Sequence, residues 1–93
     1  MTFAWDPAKA AANLRKQGVS FPEAATVFED ALSATYFDPD HSTQESRYIT
    51  VGVSRSGRLV IVAHTDRGET IRIISARKTT RRERKQYEEG TEE

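Results

Sequence analysis

Arg47-Tyr48-Ile49-Thr50-Val51-Gly52-Val53-Ser54, Leu59-Val60-Ile61-Val62-Ala63-His64-Thr65 and Thr70-Ile71-Arg72-Ile73-Ile74-Ser75-Ala76 are three runs rich in β-branched residues, set apart by Arg55-Ser56-Gly57-Arg58 and Asp66-Arg67-Gly68-Glu69. Branching at Cβ suits a side chain to a pleated, half-buried surface, and short glycine-bearing connections turn one strand back on the next. The stretch from Arg47 to Ala76 therefore predicts a three-stranded antiparallel meander. Side chains alternate along a strand, so the two faces follow from the lengths of the connections. With even-numbered connections, Ile49, Val51, Val53, Val60, Val62, Ile71 and Ile73 share the core face. Thr50, Ala63 and Arg72 then stand side by side on the other, a polar furrow floored by small residues.

Working outward, Ala34-Thr35-Tyr36-Phe37 is a further strand candidate, and the polar stretch from Asp38 to Ser46 has no periodicity and predicts a loop. Nearer the N-terminus, Phe3-Ala4-Trp5 is a short apolar stretch. Asp6-Pro7 follows, a capping residue and a preset first helical position, and the helix runs to Gln17 with Gly18 as its stop. Ser20-Phe21-Pro22-Glu23 is a capping box for a second, short helix. Thr80-Arg81-Arg82-Glu83 is another, opening a highly charged helix to about Glu89, before Gly90. The predicted fold is α+β: a small antiparallel meander packed against two N-terminal helices, with a basic C-terminal helix.

The chain has 93 residues, which predicts one domain over 1–93. Having no cysteine, it holds neither a disulfide framework nor a thiolate metal site. No apolar run approaches the ~20 residues that cross a bilayer, and the first residues lack the regions of a signal peptide, so a cytoplasmic protein with no membrane partner is expected. The net charge of zero conceals a division. Residues 1–46 hold 3 basic and 7 acidic side chains, residues 47–85 hold 11 basic and 3 acidic ones, and four glutamates close the chain. Such asymmetry points to a polyanionic partner.

The densest charge run, Arg77-Lys78-Thr79-Thr80-Arg81-Arg82-Glu83-Arg84-Lys85, has 6 basic residues in nine. On a helix, Arg77, Arg81, Arg84 and Lys85 fall on one side, either as a phosphate-binding face or as a solvated one paired with Glu83, Glu88 and Glu89. Arg72 stands in the middle of an apolar strand and either favours the first, because it loses water unless an anion meets it, or is an edge or surface-facing arginine. Asp38, Asp40 and His41 fit a turn-forming Asp-Pro-Asp loop better than a metal site. His64 follows four apolar residues and is either a hydrogen-bonded packing residue or a base. Tyr87 either stacks on an unpaired base or covers the core. Ser75 lacks a nucleophile elbow, and neither a phosphate-binding glycine loop nor a zinc-finger pattern occurs.

Phe3-x-Trp5-Asp6-Pro7-x-Lys9, Asn13-Leu14-x-Lys16-x-Gly18-Val19-x-Phe21-x-Glu23-Ala24 and Ile71-Arg72-Ile73-Ile74-Ser75-Ala76-Arg77-Lys78, followed by Glu83-Arg84-x-x-Tyr87, together resemble the BrnT family of toxins. The likeness runs from Phe3 to about Tyr87. One position departs from it: Lys16-Gln17-Gly18 stands where the family usually has Lys-His-Gly. The resemblance implies a small RelE-like fold, the toxin role in a type II toxin-antitoxin module, and RNA cleavage that inhibits translation. It also implies a BrnA-like ribbon-helix-helix antitoxin, with operator DNA bound only through that partner. Carried onto matching positions, it points to Arg72, Arg77, Glu83, Arg84 and Tyr87.

RNA cleavage without a metal uses the neighbouring ribose 2′-hydroxyl as nucleophile, so no cofactor is expected. Fixed guanidinium groups stabilise the five-coordinate phosphorus more than the substrate, and Arg72 and Arg77 are the candidates. Glu83 or His64 is the candidate base, and Tyr87 or Tyr48 the group that donates or orients. Tyr48, Arg81, Arg84 and Lys85 are expected to bind RNA. The rival is a noncatalytic nucleic-acid- or protein-binding module, a co-repressor with a DNA-binding partner. The two agree that Arg72 and Arg77 converge on one anionic pocket.

Overall fold

In the computed structural model, which describes residues 1–91, the apolar N-terminus forms a strand, β1 (Thr2–Ala4). Asp6 then caps helix α1 (Pro7–Gln17), its carboxylate accepting from the Ala8 amide at 2.8 Å. Gly18 ends that helix at φ +70°, a backbone conformation that costs glycine little because it has no Cβ. Ser20 caps helix α2 (Phe21–Thr26), which tightens into a 3-10 turn over Val27–Glu29. Strands β2 (Ala34–Asp38), β3 (Arg47–Val53), β4 (Leu59–Arg67) and β5 (Thr70–Lys78) follow, and helix α3 (Arg81–Thr91) closes the described chain. The fold class is α+β, as predicted. The capping box of α3 is reciprocal: the Glu83 amide donates to Thr80 Oγ1 at 3.1 Å, and the Thr80 amide to Glu83 Oε1 at 2.9 Å.

The sheet has five strands in the order β1-β5-β4-β3-β2. The meander is extended on both sides, and it is mixed rather than purely antiparallel, because β1 pairs parallel to β5. After three residues β1 ends, and Asn13 of α1 continues its work. Its side-chain amide donates to Ala76 O at 2.9 Å and accepts from the Ala76 amide at 3.1 Å, so a side chain replaces the missing neighbour strand. A third bond, to Val19 O, fixes the turn between the helices.

The predicted faces are corrected in one strand. The β3–β4 connection, 54–58, has five residues, and Val53 lies opposite Leu59. An odd connection reverses β3 relative to the even-numbered assignment. Ile49, Val51 and Val53 therefore leave the core face, while Tyr48, Thr50 and Gly52 join it. Gly52 is required there: a Cβ would come within 2.9 Å of Ser33 Cβ and 3.0 Å of Val27 Cγ1. Val60 and Val62 of β4 and Ile73 and Ala76 of β5 pack against Phe21, Ala24 and Val27, with Phe3, Trp5 and Phe28 around them. Burying a valine, isoleucine or phenylalanine side chain of this kind contributes roughly 1.5–3 kcal/mol.

The second irregularity lies in β5. Ala63 pairs with Ser75, but the next residue of β4, His64, pairs with Ile73. Ile74 is thus the extra residue of a bulge. Ile71 and Ile73 before it face the helices, and so does Ala76 after it, an odd step beyond Ile73 that a regular strand would not allow.

Candidate functional site

The face of the sheet away from α1 and α2 carries the polar residues in cross-strand rungs. Asp38, Arg47, Thr65 and Arg72 oppose one another across β2, β3, β4 and β5. The next rung is Tyr36, Ile49, Ala63 and Ser75, and the one after it Ala34, Val51, Ile61 and Arg77. Arg72 and Arg77 are five residues apart, an odd number that would put them on opposite faces. The bulge at Ile74 puts them on the same one. At ~3.3 Å per residue their Cα atoms lie roughly 15 Å apart, with Ala63 and Ser75 leaving space between them.

That space is divided into two hollows. The first, about 240 Å³, reaches from Asn13 and Gln17 of α1 over Ala63, Ser75 and Arg77 to Asp38, His41 and Arg47. The second, about 230 Å³, is lined by Lys9, Thr43, Gln44, Glu45, Arg47, Thr65, Arg72 and Ile74. Arg77 belongs to the first and Arg72 to the second, so the single anionic pocket expected for the two is corrected to two hollows, with Arg47 lining both. The expected furrow of Thr50, Ala63 and Arg72 is corrected accordingly. Thr50 is buried under the helices, bonded to His64 Nε2 at 2.8 Å.

Of the residues expected to act on RNA or bind it, Arg77 is the one that lines the first hollow. It stands on β5, not on the helical side with Arg81, Arg84 and Lys85, and Glu83 takes its Nη1 and Nη2 at 2.8 Å each. A guanidinium has five N–H donors, so this pairing holds the plane still while the Nε–H remains unengaged among the described residues. The Arg77 bond, with the Thr80 amide behind it, brings the Glu83 carboxyl down to about 2. Glu83 therefore positions Arg77 and caps α3, and a carboxylate so engaged is a weak base. Tyr87 donates its hydroxyl to Leu32 O at 2.7 Å, and burial pushes its ionisation up. It pins α3 beside Tyr36, Val51 and Ile61. Arg81, Arg84 and Lys85 are exposed on α3, with Arg84 Nε on Glu88 at 3.0 Å.

Tyr48 lies on the helix side of the sheet, stacked on His64 with ring centres 6.0 Å apart. His64 is buried between Thr50 and Asp66, whose Oδ1 meets Nδ1 at 2.7 Å. It is a packing histidine. The structure instead adds His41, Arg47 and Asp38 to the first hollow. Asp38 begins a single 3-10 turn over Pro39–His41, and in such a turn side chains three apart are aligned. His41 Nδ1 meets Asp38 Oδ2 at 2.8 Å, with the imidazole 65% exposed and the carboxylate 15%. The Asp38-Pro39-Asp40-His41 spacing held the signal, since a turn-forming loop also orients an imidazole. Arg47 had none, because a strand-end arginine is ordinary until its rung is known.

An ionised carboxylate only accepts, so in this bond the imidazole donates from Nδ1, and Nε2 is the ring nitrogen outside the pair. The first hollow thus joins an oriented imidazole to Arg47 and a braced Arg77. Among the described residues, no group of three or more His, Asp or Glu side chains is arranged to hold a metal ion. No described helix is long and apolar enough to cross a membrane.

Residues 5–83 match the family model described as the ribonuclease toxin BrnT of type II toxin-antitoxin systems. The 1.1 Å crystal structure of the Brucella abortus ribonuclease toxin BrnT is similar in fold, with a TM-score of 0.64 at 20% identity, over 87% of this chain and 99% of that one. No curated protein sequence matches the chain.

Proposed function

Since the chain belongs to the BrnT family of ribonuclease toxins of type II toxin-antitoxin systems, we propose that it is an endoribonuclease that cuts RNA in the first hollow through the 2′-hydroxyl, without a metal. The observation that carries this reading is the His41–Asp38 pair at 2.8 Å in the same hollow as Arg47 and Arg77. His41 Nε2 takes the proton of the 2′-hydroxyl as its oxygen bonds to phosphorus. The bond from phosphorus to the 5′-oxygen breaks, and that oxygen takes a proton from solvent in the open hollow. The products are a 2′,3′-cyclic phosphate and a 5′-hydroxyl.

Extra negative charge develops on the phosphoryl oxygens during this step. Arg77 answers it with a guanidinium already held by Glu83, so little reorganisation is needed when the charge appears. Together, imidazole and guanidinium groups supply the proton transfer and the charge neutralisation that the reaction demands. Cutting RNA in this way arrests translation, and a BrnA-like antitoxin that covers the open face restores it, with operator DNA bound through that partner.

The test uses the purified chain, freed of any partner, on a synthetic oligoribonucleotide with excess chelator. Cleavage should leave cyclic phosphate ends, and one 2′-deoxy substitution at the cut site should abolish it there. Cleavage that persists at the deoxy site, or that needs a divalent cation, would sink the mechanism. Protein that binds RNA but never cuts it supports the co-repressor alternative instead.

A further inference from the structure

Thr65 occupies the middle of the rung between Arg47 and Arg72, and it is 4% exposed. Its Oγ1 is buried without a hydrogen-bond partner. Buried hydroxyls are almost always satisfied, so an orphan one calls for an explanation. Thr65 forms part of the wall of the second hollow, where Lys9, Arg47 and Arg72 supply three cationic side chains. The carboxylate there, Glu45, is occupied by Arg67 through bonds of 2.8 and 2.6 Å. Glu45 also feels the charges of Arg72 and Arg47, so one carboxylate already engaged by Arg67 stands against three cationic side chains, and the hollow keeps an excess of positive charge beside the orphan hydroxyl.

The bond-breaking step proposed above does not use this hollow. Resting on that reading, we propose that the second hollow binds the phosphate adjacent to the one cleaved, so that a single RNA strand lies along the open face with Arg47 between two consecutive phosphates. Lys9 from α1 and Arg72 from β5 close on the phosphate from two sides. Rotation about χ1 exchanges Oγ1 and Cγ2 of Thr65, which turns the hydroxyl to donate to an entering phosphate oxygen. The orphan hydroxyl is then satisfied by the ligand. The site is a subsite for length: it favours a strand that continues past the cut over a bare dinucleotide.

Uncleavable probes separate this inference from the ribonuclease reading. The full chain is titrated calorimetrically with a 2′-O-methyl dinucleotide carrying a 5′-phosphate, a 3′-phosphate or neither. One of the two phosphates should tighten binding several-fold and steepen the log–log salt dependence by about 0.7, as for one more phosphate contact on a single strand. Lys9→Gln should remove most of that added slope. Thr65→Val, of nearly the same shape, should forfeit part of the affinity gain while keeping the slope. Its melting temperature should not fall, because an apolar group replaces a hydroxyl that had no partner.

The inference is overturned if neither phosphate adds affinity, or if both variants keep the full gain. It is also overturned if inorganic phosphate alone binds as tightly as the phosphorylated probe, which marks a free-anion site. A glutamate peptide that binds through Lys9 and Thr65 while phosphate adds nothing would mean a protein partner instead. A chain that shows the phosphate gain yet never cuts RNA keeps this subsite and loses the ribonuclease. One that cuts RNA with no phosphate gain does the reverse.

Discussion

The two faces of one five-stranded sheet solve opposite problems. Under α1 and α2, Val60, Val62, Ile73 and Ala76 are sealed from water, and the polar groups among them are paired, Thr50 with His64 and Thr35, His64 with Asp66. On the open face Arg47 and Arg72 make no ion pair among the described residues, Thr65 has an orphan hydroxyl, and small residues leave two hollows. A face completed by its own chain supplies stability. One left with unpaired guanidinium groups and open hollows has the charge and the room for a ligand.

Substitutions on the two faces should therefore separate folding from cleavage. The largest effect belongs to the covered face. Phe21→Ala, at a fully buried ring, should cost ~3–5 kcal/mol, a fall in the thermal midpoint that circular dichroism reads directly. Arg77→Ala should do the converse, lowering RNA cleavage by ~10²–10³-fold with the midpoint nearly unmoved, since its pair with Glu83 is partly exposed. If its melting temperature collapses with its activity, Arg77 is a structural residue and the contrast between the faces fails.

Between these extremes stands Asn13, which joins the edge of β5 to α1. Asn13→Ala leaves a buried amide and carbonyl of Ala76 unpaired, at ~1–3 kcal/mol, and the Ala76 amide should exchange hydrogen faster than its neighbours. A smaller effect is acid-dependent. The Glu83 carboxyl is held at about 2 by Arg77 against an ordinary 4.5. A depressed value means the carboxylate stabilises the fold above 4.5 and ceases to as pH falls from there through 2. Glu83→Gln should flatten that part of the stability–pH curve by less than ~1 kcal/mol, after screening by solvent. The least change is expected from Gln17→His, which faces the first hollow and adds a second imidazole there. It should alter the pH–rate profile of cleavage without moving the thermal midpoint.

Local signals in the sequence were reliable wherever a few neighbouring residues decide the outcome. Asp6-Pro7 and Gly18 bound α1, Ser20 starts α2, and Thr80 with Glu83 starts α3. The three long strands lie where their branched residues run. Less was legible of the site. Gln17 and Arg77 lie in the first hollow, but His41 and Arg47 reach it through the 3-10 turn after Asp38 and the rung shared with Thr65. Neither contact exists in any short window of the chain. The strand β1 has no signal in the sequence for the same reason: three residues carry no period, and only β5 beside them makes them a strand.

Composition and short-range pattern determined where helices begin, where strands run and where positive charge gathers, because capping, branching and turn chemistry act within a few residues. The tertiary structure decided which way each strand faces. Alternation has a period of two, so a single inserted residue reverses everything beyond it. Two such insertions occur, the fifth residue of the 54–58 connection and Ile74 in β5, and both matter only in relation to a partner strand. The first turns Thr50 inward to His64. The second brings Arg72 and Arg77, an odd number of residues apart, onto one face of the sheet.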